Sequence, residues 1–288
     1  MGAEGTVTWR ELLDETAAVV GARNEARWLC EEASGYFGSE FHEVLDEAAT
    51  KRSVAHLDAM VARVRAGEPL QYVLGHWSFR GLDLMVDPRV LIPRPETELI
   101  VDLAKKAISS EAHGAIAVDL GTGSGAIGLA LAMELPRGSA EIWITDSSSD
   151  ALEVASANLA GTGVRGNNVH VALGDWYEAL PHMIRGRVAL IVSNPPYIAA
   201  GDSEVEQIVS DYEPHGALFA GSTGLEDLTV IINGSRDWLS SNGALVVEIG
   251  HRQGSEAKHL ATEAGFVDVT IHQDLAGKDR FLTARLKG

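Results

Sequence analysis

Cysteine is almost absent from this chain: Cys30 is the single one among 288 residues. That excludes an internal disulfide framework and any cysteine-cluster metal site. Long apolar runs are missing too. No stretch approaches the roughly 18 consecutive apolar residues of a membrane-spanning helix. Met1 to Gly5 hold neither a basic segment nor an apolar one, so no secretory signal is read there. Basic residues are scarce, with 23 Lys and Arg against 41 Asp and Glu and a net charge of −18. Lys105-Lys106 and the Arg185/Arg187 pair are among their few local concentrations. Phosphate neutralisation supplies most of the affinity for nucleic acid, so a direct nucleic-acid partner is not expected. The expectation is a cytoplasmic monomer without a membrane.

What is present describes an ordinary globular chain, 45% apolar and 22% charged, long enough for about two domains. The first part is helical. Thr8-Trp9-Arg10-Glu11 reads as a capping box, followed by Trp9, Leu12, Leu13 and Thr16 to Val20 at helical spacing. Asn24 reads as the cap of a second helix ending near Gly35. Val54, Leu57, Met60, Val61 and Val64 mark a third, stopped by Gly67-Glu68-Pro69. Residues 69–95 change character: Tyr72 to Gly75, Trp77 to Phe79 and Leu82 to Val86 read as short strands, a hairpin joining two domains. From Glu96 helices and strands alternate. Strands are expected at Ala115–Val118, Ile142–Ile144, Val169–Val171, Val188–Val192, Ala244–Ile249, Val267–Ile271 and Arg280–Ala284. Such alternation predicts an α/β fold, a doubly wound, mostly parallel seven-stranded sheet behind a small all-helical N-terminal domain.

Two segments carry chemistry. Val118-Asp119-Leu120-Gly121-Thr122-Gly123-Ser124-Gly125 leaves a strand and opens a helix, so its glycines let the backbone turn tightly against a ligand beside free helix amides. Asp146 ends the next strand, where a carboxylate can take both hydroxyls of a ribose. Gly123-x-Gly125-x-x-Gly128 also satisfies the dinucleotide fingerprint, so a nicotinamide cofactor stays open on this loop alone. The second segment, Asn194-Pro195-Pro196-Tyr197, follows an apolar strand and therefore sits at the carboxyl edge of the sheet. Its prolines stiffen the loop and leave carbonyls outside any ladder, while asparagine adds an acceptor and tyrosine an aromatic face. The set suits a planar group whose NH2 needs two acceptors.

On these residues the chain resembles the class I methyltransferases, Asp119 to Gly125 matching their S-adenosylmethionine loop. Asn194 to Tyr197 is similar to the motif of those that methylate planar amino or amide nitrogens. Pro69-Leu70-Gln71-Tyr72-Val73-Leu74-Gly75 and Leu91-Ile92-Pro93-Arg94-Pro95-Glu96-Thr97-Glu98 narrow the resemblance to the peptide chain release factor glutamine N5-methyltransferases, the PrmC/HemK family. Gly174-Asp175-Trp176, Tyr212-Glu213-Pro214 and Val247-Glu248-Ile249-Gly250 fit the same family.

The resemblance implies a Rossmann-like class I methyltransferase domain over 96–288, a β-hairpin linker over 69–95 and a release-factor-binding helical domain over 1–68. It implies S-adenosyl-L-methionine as cofactor, S-adenosyl-L-homocysteine as product and class I release factors as protein partners. Gly121, Thr122, Gly123, Ser124 and Gly125 would wrap the methionine part, Asp146 the ribose, and Asp175 and Trp176 the adenine. Asn194 and the Pro195 carbonyl would hold the amide of the glutamine in a Gly-Gly-Gln motif, with Pro196 and Tyr197 beside it. No catalytic histidine and no metal are expected, and no Ser-His-Asp signature is found. Two alternatives accompany this reading: methylation of a base amine of the adenine N6 type, against which the acidity stands, and a nicotinamide-dependent oxidoreductase, which leaves Asn194 to Tyr197 unexplained.

Overall fold

Short-range signals decide the helical part. In the computed structural model, which describes residues 7–108, 114–201 and 211–288, the Thr8 hydroxyl accepts from Glu11 N–H while the Glu11 carboxylate accepts from Thr8 N–H, starting α1 (Trp9–Val20). Met1 to Gly5, read above for a leader, lie outside the described residues. The second helix, α2 (Arg23–Ser34), starts a residue before Asn24 with no side-chain cap and ends on left-handed Gly35. Two helices follow it, α3 (Ser39–Glu43) and α4 (Lys51–Arg65), the latter capped by Thr50. The stretch expected as a strand at Tyr72 to Gly75 is instead a turn of helix, α5 (Leu70–Leu74). Pro69 fixes φ at its entry and left-handed Gly75 ends it, so the termini override the β-branched and aromatic content. Trp9, Leu29, Phe41, Leu57, Met60 and Val73 form the core of this unit, which runs to His76.

The second unit, Trp77 to Gly288, is built on the alternation. It opens with a hairpin of β1 (His76–Phe79) and β2 (Leu82–Met85), turned by Arg80 and Gly81 in the left-handed region. The Arg80 guanidinium ties that turn to Asp102 and Glu134 of α6 (Glu98–Ala107) and α7 (Ala126–Glu134). Five strands follow: β3 (Ala115–Leu120), β4 (Ala140–Asp146), β5 (Val169–Leu173), β6 (Val188–Ser193) and β7 (Leu239–Glu248). The last two are β8 (Phe266–Gln273) and β9 (Asp279–Leu286). They form one seven-stranded sheet in the order β5-β4-β3-β6-β7-β9-β8, parallel except where β9 runs antiparallel to β7 and β8. Ala117, Ile142 and Val192 pack on one face with α6 and α7. Ile116, Val118 and Leu245 pack on the other, against the helices Glu226–Trp238 and Gly254–Glu263. The expected α/β, doubly wound, mostly parallel seven-stranded sheet is therefore the observed one.

The order matters for function because the chain winds one way from β3 and the other way from β6. Adjacent strands whose connections diverge leave a crevice beyond their carboxyl ends. There Leu120 pairs with Ser193, and the Ser193 hydroxyl donates to the Leu120 carbonyl at 2.7 Å. The next residues are Gly121 and Asn194.

Gly128 is the closest point between α7 and the sheet: a Cβ there would stand 2.3 Å from Ile144 Cγ2 and 3.1 Å from Asp119 Oδ2. Gly128→Ala should therefore overpack a rigid contact and cost about 1–3 kcal/mol in urea unfolding. A stability equal to wild type would mean that α7 is free to shift.

Candidate active site

The glycine loop is organised by a buried acid beneath it. Asp119 Oδ2 accepts from the Thr122 hydroxyl at 2.5 Å and from Gly128 N–H in the first turn of α7 at 2.9 Å. Among the described residues its Oδ1 has no hydrogen-bond partner. Burial pushes this carboxyl up to about 7, with Asp146 adding a smaller push and the two hydrogen bonds pulling back. Gly121, Gly123 and Gly125 all have positive φ, so the loop follows a path that L side chains resist. Around Gly123 the space a Cβ would enter is open. Asn158 supports the loop from outside, donating to the carbonyls of Ser124 and of Met85 in the hairpin.

Asp146, at the end of β4, faces the loop. Its carboxylate accepts from Gly123 N–H and Ser148 N–H, both at 2.9 Å, and burial raises its pKa. Each oxygen keeps a further lone pair for a ligand hydroxyl. After β5, Trp176 adopts φ 43° and lays its ring on the loop, where a Cβ on Gly121 would stand 3.3 Å from the indole. Asp227 hydrogen-bonds with Trp176, and its pKa is raised by burial and by nearby Asp175.

These groups share one cavity of about 420 Å³, within the range of small-molecule sites. Its wall includes Gly121, Thr122, Gly123 and Ser124, then Asp146, Asp175 and Trp176, and then Asn194 and Pro196. Gly125, Pro195 and Tyr197 adjoin these residues in sequence but are not part of the wall: Gly125 is the left-handed start of α7, and Pro195 is buried. The Tyr197 carbonyl accepts from Gln253 Nε2 at 3.0 Å, and the same amide nitrogen donates to Gly224 O at 2.9 Å. Burial holds the Tyr197 hydroxyl up at about 12, with the Glu248 carboxylate adding to it. Segment 91–94 is anchored by buried Glu213, which accepts from Ile92 N–H and pairs with Arg94.

Beside Asn194, from Thr97 in the same cavity wall to Glu248, runs a polar chain that sequence reasoning left unassigned, although both residues fall inside quoted motifs. Asn194 Nδ2 reaches Thr97 Oγ1 at 3.5 Å, and Thr97 donates to Glu248 Oε2 at 2.7 Å. Burial pushes the Glu248 carboxyl up to about 7 against the pull of Thr97, Arg280 and Arg94. Asp227, Gln253 and Asp119 were also unassigned; Asp227 had no local signal at all.

The cavity is electrostatically one-sided. Among the described residues Asp146, Asp175 and Asp227 line it, while the one cation in its wall, Arg89, is spent on Asp87 at 2.6 Å and Glu153 at 2.9 Å. Such a wall favours a cationic ligand and opposes a pyrophosphate. Since Gly123 N–H is also taken by Asp146, the loop is poorly furnished for a dinucleotide.

A glycine loop and an Asn-Pro-Pro-Tyr edge at the switch point of this sheet are the parts of a class I methyltransferase. Residues 97–212 match the methyltransferase small domain, and residues 8–75 match the PrmC N-terminal domain. The hMettl16 catalytic domain shares the fold, with TM-score 0.55 at 14% identity over 84% of each chain. The release factor glutamine methyltransferase of Xylella fastidiosa is 41% identical over 80% of this chain and 81% of its own length. That of Escherichia coli is 36% identical over 96% of each. The chain belongs to the release factor glutamine methyltransferase family.

Asp119 gives the site a pH signature. Folded, it keeps its proton up to about 7, while an unfolded aspartate releases it near pH 4. Between those values the folded state holds more protons, so this group's contribution is full below pH 4 and is lost as pH rises through 7. Asp119→Asn should remove that loss, on the order of 1 kcal/mol per pH unit, from urea unfolding compared at pH 5 and 7. An unchanged difference would mean that Asp119 is ionised in the fold.

Proposed function

We propose that the protein transfers the methyl group of S-adenosyl-L-methionine to the side-chain amide nitrogen of the glutamine in the Gly-Gly-Gln motif of bacterial class I peptide chain release factors. The observation that carries this reading is that Asn194 shares a cavity wall with the glycine loop and Asp146, from the ends of adjacent strands. The names of the relatives support the substrate. The residues fit the cofactor: carboxylates against a positively charged ligand, and a glycine backbone open where a Cβ would intrude.

When bound, the cofactor supplies an electrophilic methyl on a sulfonium and leaves as S-adenosyl-L-homocysteine. Gly121 to Gly125 hold its methionine part, Asp146 accepts from the ribose hydroxyls, and Asp175 and Trp176 flank the adenine by hydrogen bonding and packing. The amide nitrogen is a poor nucleophile because its lone pair is delocalised into the carbonyl. Asn194 Oδ1 and the Pro195 carbonyl accept its two hydrogens, aim the nitrogen and stabilise the positive charge it gains. Pro196 and Tyr197 frame the amide. No strong base is needed, since an N-alkylated amide that still carries its extra proton loses it readily to water.

The helical domain, residues 1–68, holds the body of the release factor, residues 69–95 link it, and residues 96–288 carry out the transfer in the cytoplasm. Exposed Tyr36 and Phe37, 44% and 50% accessible, support a protein-binding face there. Replacing both with serine should raise KM for the release factor about tenfold or more and leave cofactor affinity unchanged. Equal KM values would take the contact away from this face.

The reading is tested by transfer of labelled methyl to a purified release factor, with a Gly-Gly-Ala variant as control. Label is expected on the first alone. Asn194→Ala should lower kcat by about 10²-fold or more with cofactor affinity held within a few fold. Asp146→Ala should do the reverse, weakening cofactor binding about tenfold or more. Label on neither release factor, or on DNA or RNA instead, would overturn the assignment.

A further inference from the structure

An asparagine amide has two ends of opposite polarity, and only one of them serves as an acceptor. Which end of Asn194 is free for a ligand is decided by its neighbour in the cavity wall, Thr97. Its Nδ2 stands 3.5 Å from Thr97 Oγ1, and the Thr97 hydroxyl donates to Glu248 Oε2 at 2.7 Å. Thr97 and Glu248 are 3% and 2% exposed, so water does not compete for these groups. A hydroxyl has one proton to give. With that proton spent on the ionised Glu248 carboxylate, Thr97 can only accept from Asn194, which holds Nδ2 on Thr97 and leaves Oδ1 for a ligand in the cavity both residues line.

We propose that Thr97 and Glu248 are positioning residues that fix the amide of Asn194 oxygen-outward and so set the polarity of the acceptor site. The inference rests on the function proposed above and deepens it, because a substrate amide offers hydrogens and must meet oxygen. Were Glu248 protonated, as the rise of its carboxyl to about 7 allows below neutral pH, it would donate to Thr97 and the hydroxyl proton would turn to Asn194 Oδ1. The amide would then present its NH2 to the substrate's NH2, donor against donor, and the transition state would lose one of its two acceptors. The chain joins three distant segments: the 95–97 turn, the end of β7 and the loop after β6. Arg94, Arg280, Glu96 and the Tyr197 hydroxyl influence Glu248 from around it.

The test uses the full-length enzyme with labelled S-adenosylmethionine and a class I release factor. Thr97→Val keeps the shape and removes the relay; kcat should fall at least about tenfold with KM for the release factor and cofactor affinity held within about threefold. Thr97→Ser should restore most of that loss. Glu248→Gln, which can donate, should lower kcat in the same way, and adding it to Thr97→Val should cost nothing further, since both break one chain. A Thr97→Val enzyme with wild-type kcat overturns the inference. So does a loss that appears as weakened cofactor binding, a Thr97→Ser as impaired as the valine, or losses that multiply in the double variant. A wild-type enzyme that leaves the release factor unlabelled would instead remove the reading on which the inference rests.

Discussion

The pairing of β3 with β6 is the constraint on which the site depends. Because the two strands are parallel and adjacent, their carboxyl ends finish together, at Leu120 and Ser193. The Ser193 hydroxyl closes on the Leu120 carbonyl one residue before the chain diverges into the glycine loop on one side and Asn-Pro-Pro-Tyr on the other. A slip of one residue in this register would turn every side chain of β6 to the opposite face. It would exchange Ile191 for Leu190 and Val192 in their separate cores and carry Asn194 out of the cavity wall. The apolar packing on both faces of the sheet is thus what places the glycine loop beside Asn-Pro-Pro-Tyr.

Around that junction the protein keeps polar groups under cover. Asp119 and Glu248 are buried carboxyls pushed up to about 7, and Asp119 holds one oxygen without a partner among the described residues. Trp176 adopts a left-handed backbone to lay its ring on Gly121. Strain and desolvation of this kind persist only where surrounding structure over-determines them. Here the surroundings are the sheet beneath, the Glu213 anchor of segment 91–94 and the Gln253 amide that braces the carbonyls of Tyr197 and Gly224. The acidic wall then separates this loop from a dinucleotide loop of the same spelling: the glycine spacing is shared, but the charge facing the ligand is not.

Much of this was legible before any coordinates. The capping box at Thr8, the alternation after Glu96 and the two loops at strand ends are local patterns, and local patterns survive folding. Tyr72 to Gly75 was misread because its composition favours a strand, whereas Pro69 and Gly75 at its ends decide for a helix. The Thr97–Glu248 contact spans 151 positions along the chain, and Gln253 meets Tyr197 across 56. No periodicity encodes such a meeting; it follows from the order in which the strands assemble. Asp227 shows the same limit, since an acid in the first turn of a helix is ordinary until Trp176 is found beside it.

The central claim is that Asn194 presents an oxygen to a glutamine amide at the methyl-donor site. A crystal structure of the protein with S-adenosyl-L-homocysteine and a Gly-Gly-Gln peptide tests it most directly. The account predicts the glutamine nitrogen within hydrogen-bond reach of Asn194 Oδ1 and the Pro195 carbonyl, facing the sulfur, with Asn194 Nδ2 turned to Thr97. A glutamine bound elsewhere, or an Asn194 that meets it with Nδ2, would contradict it.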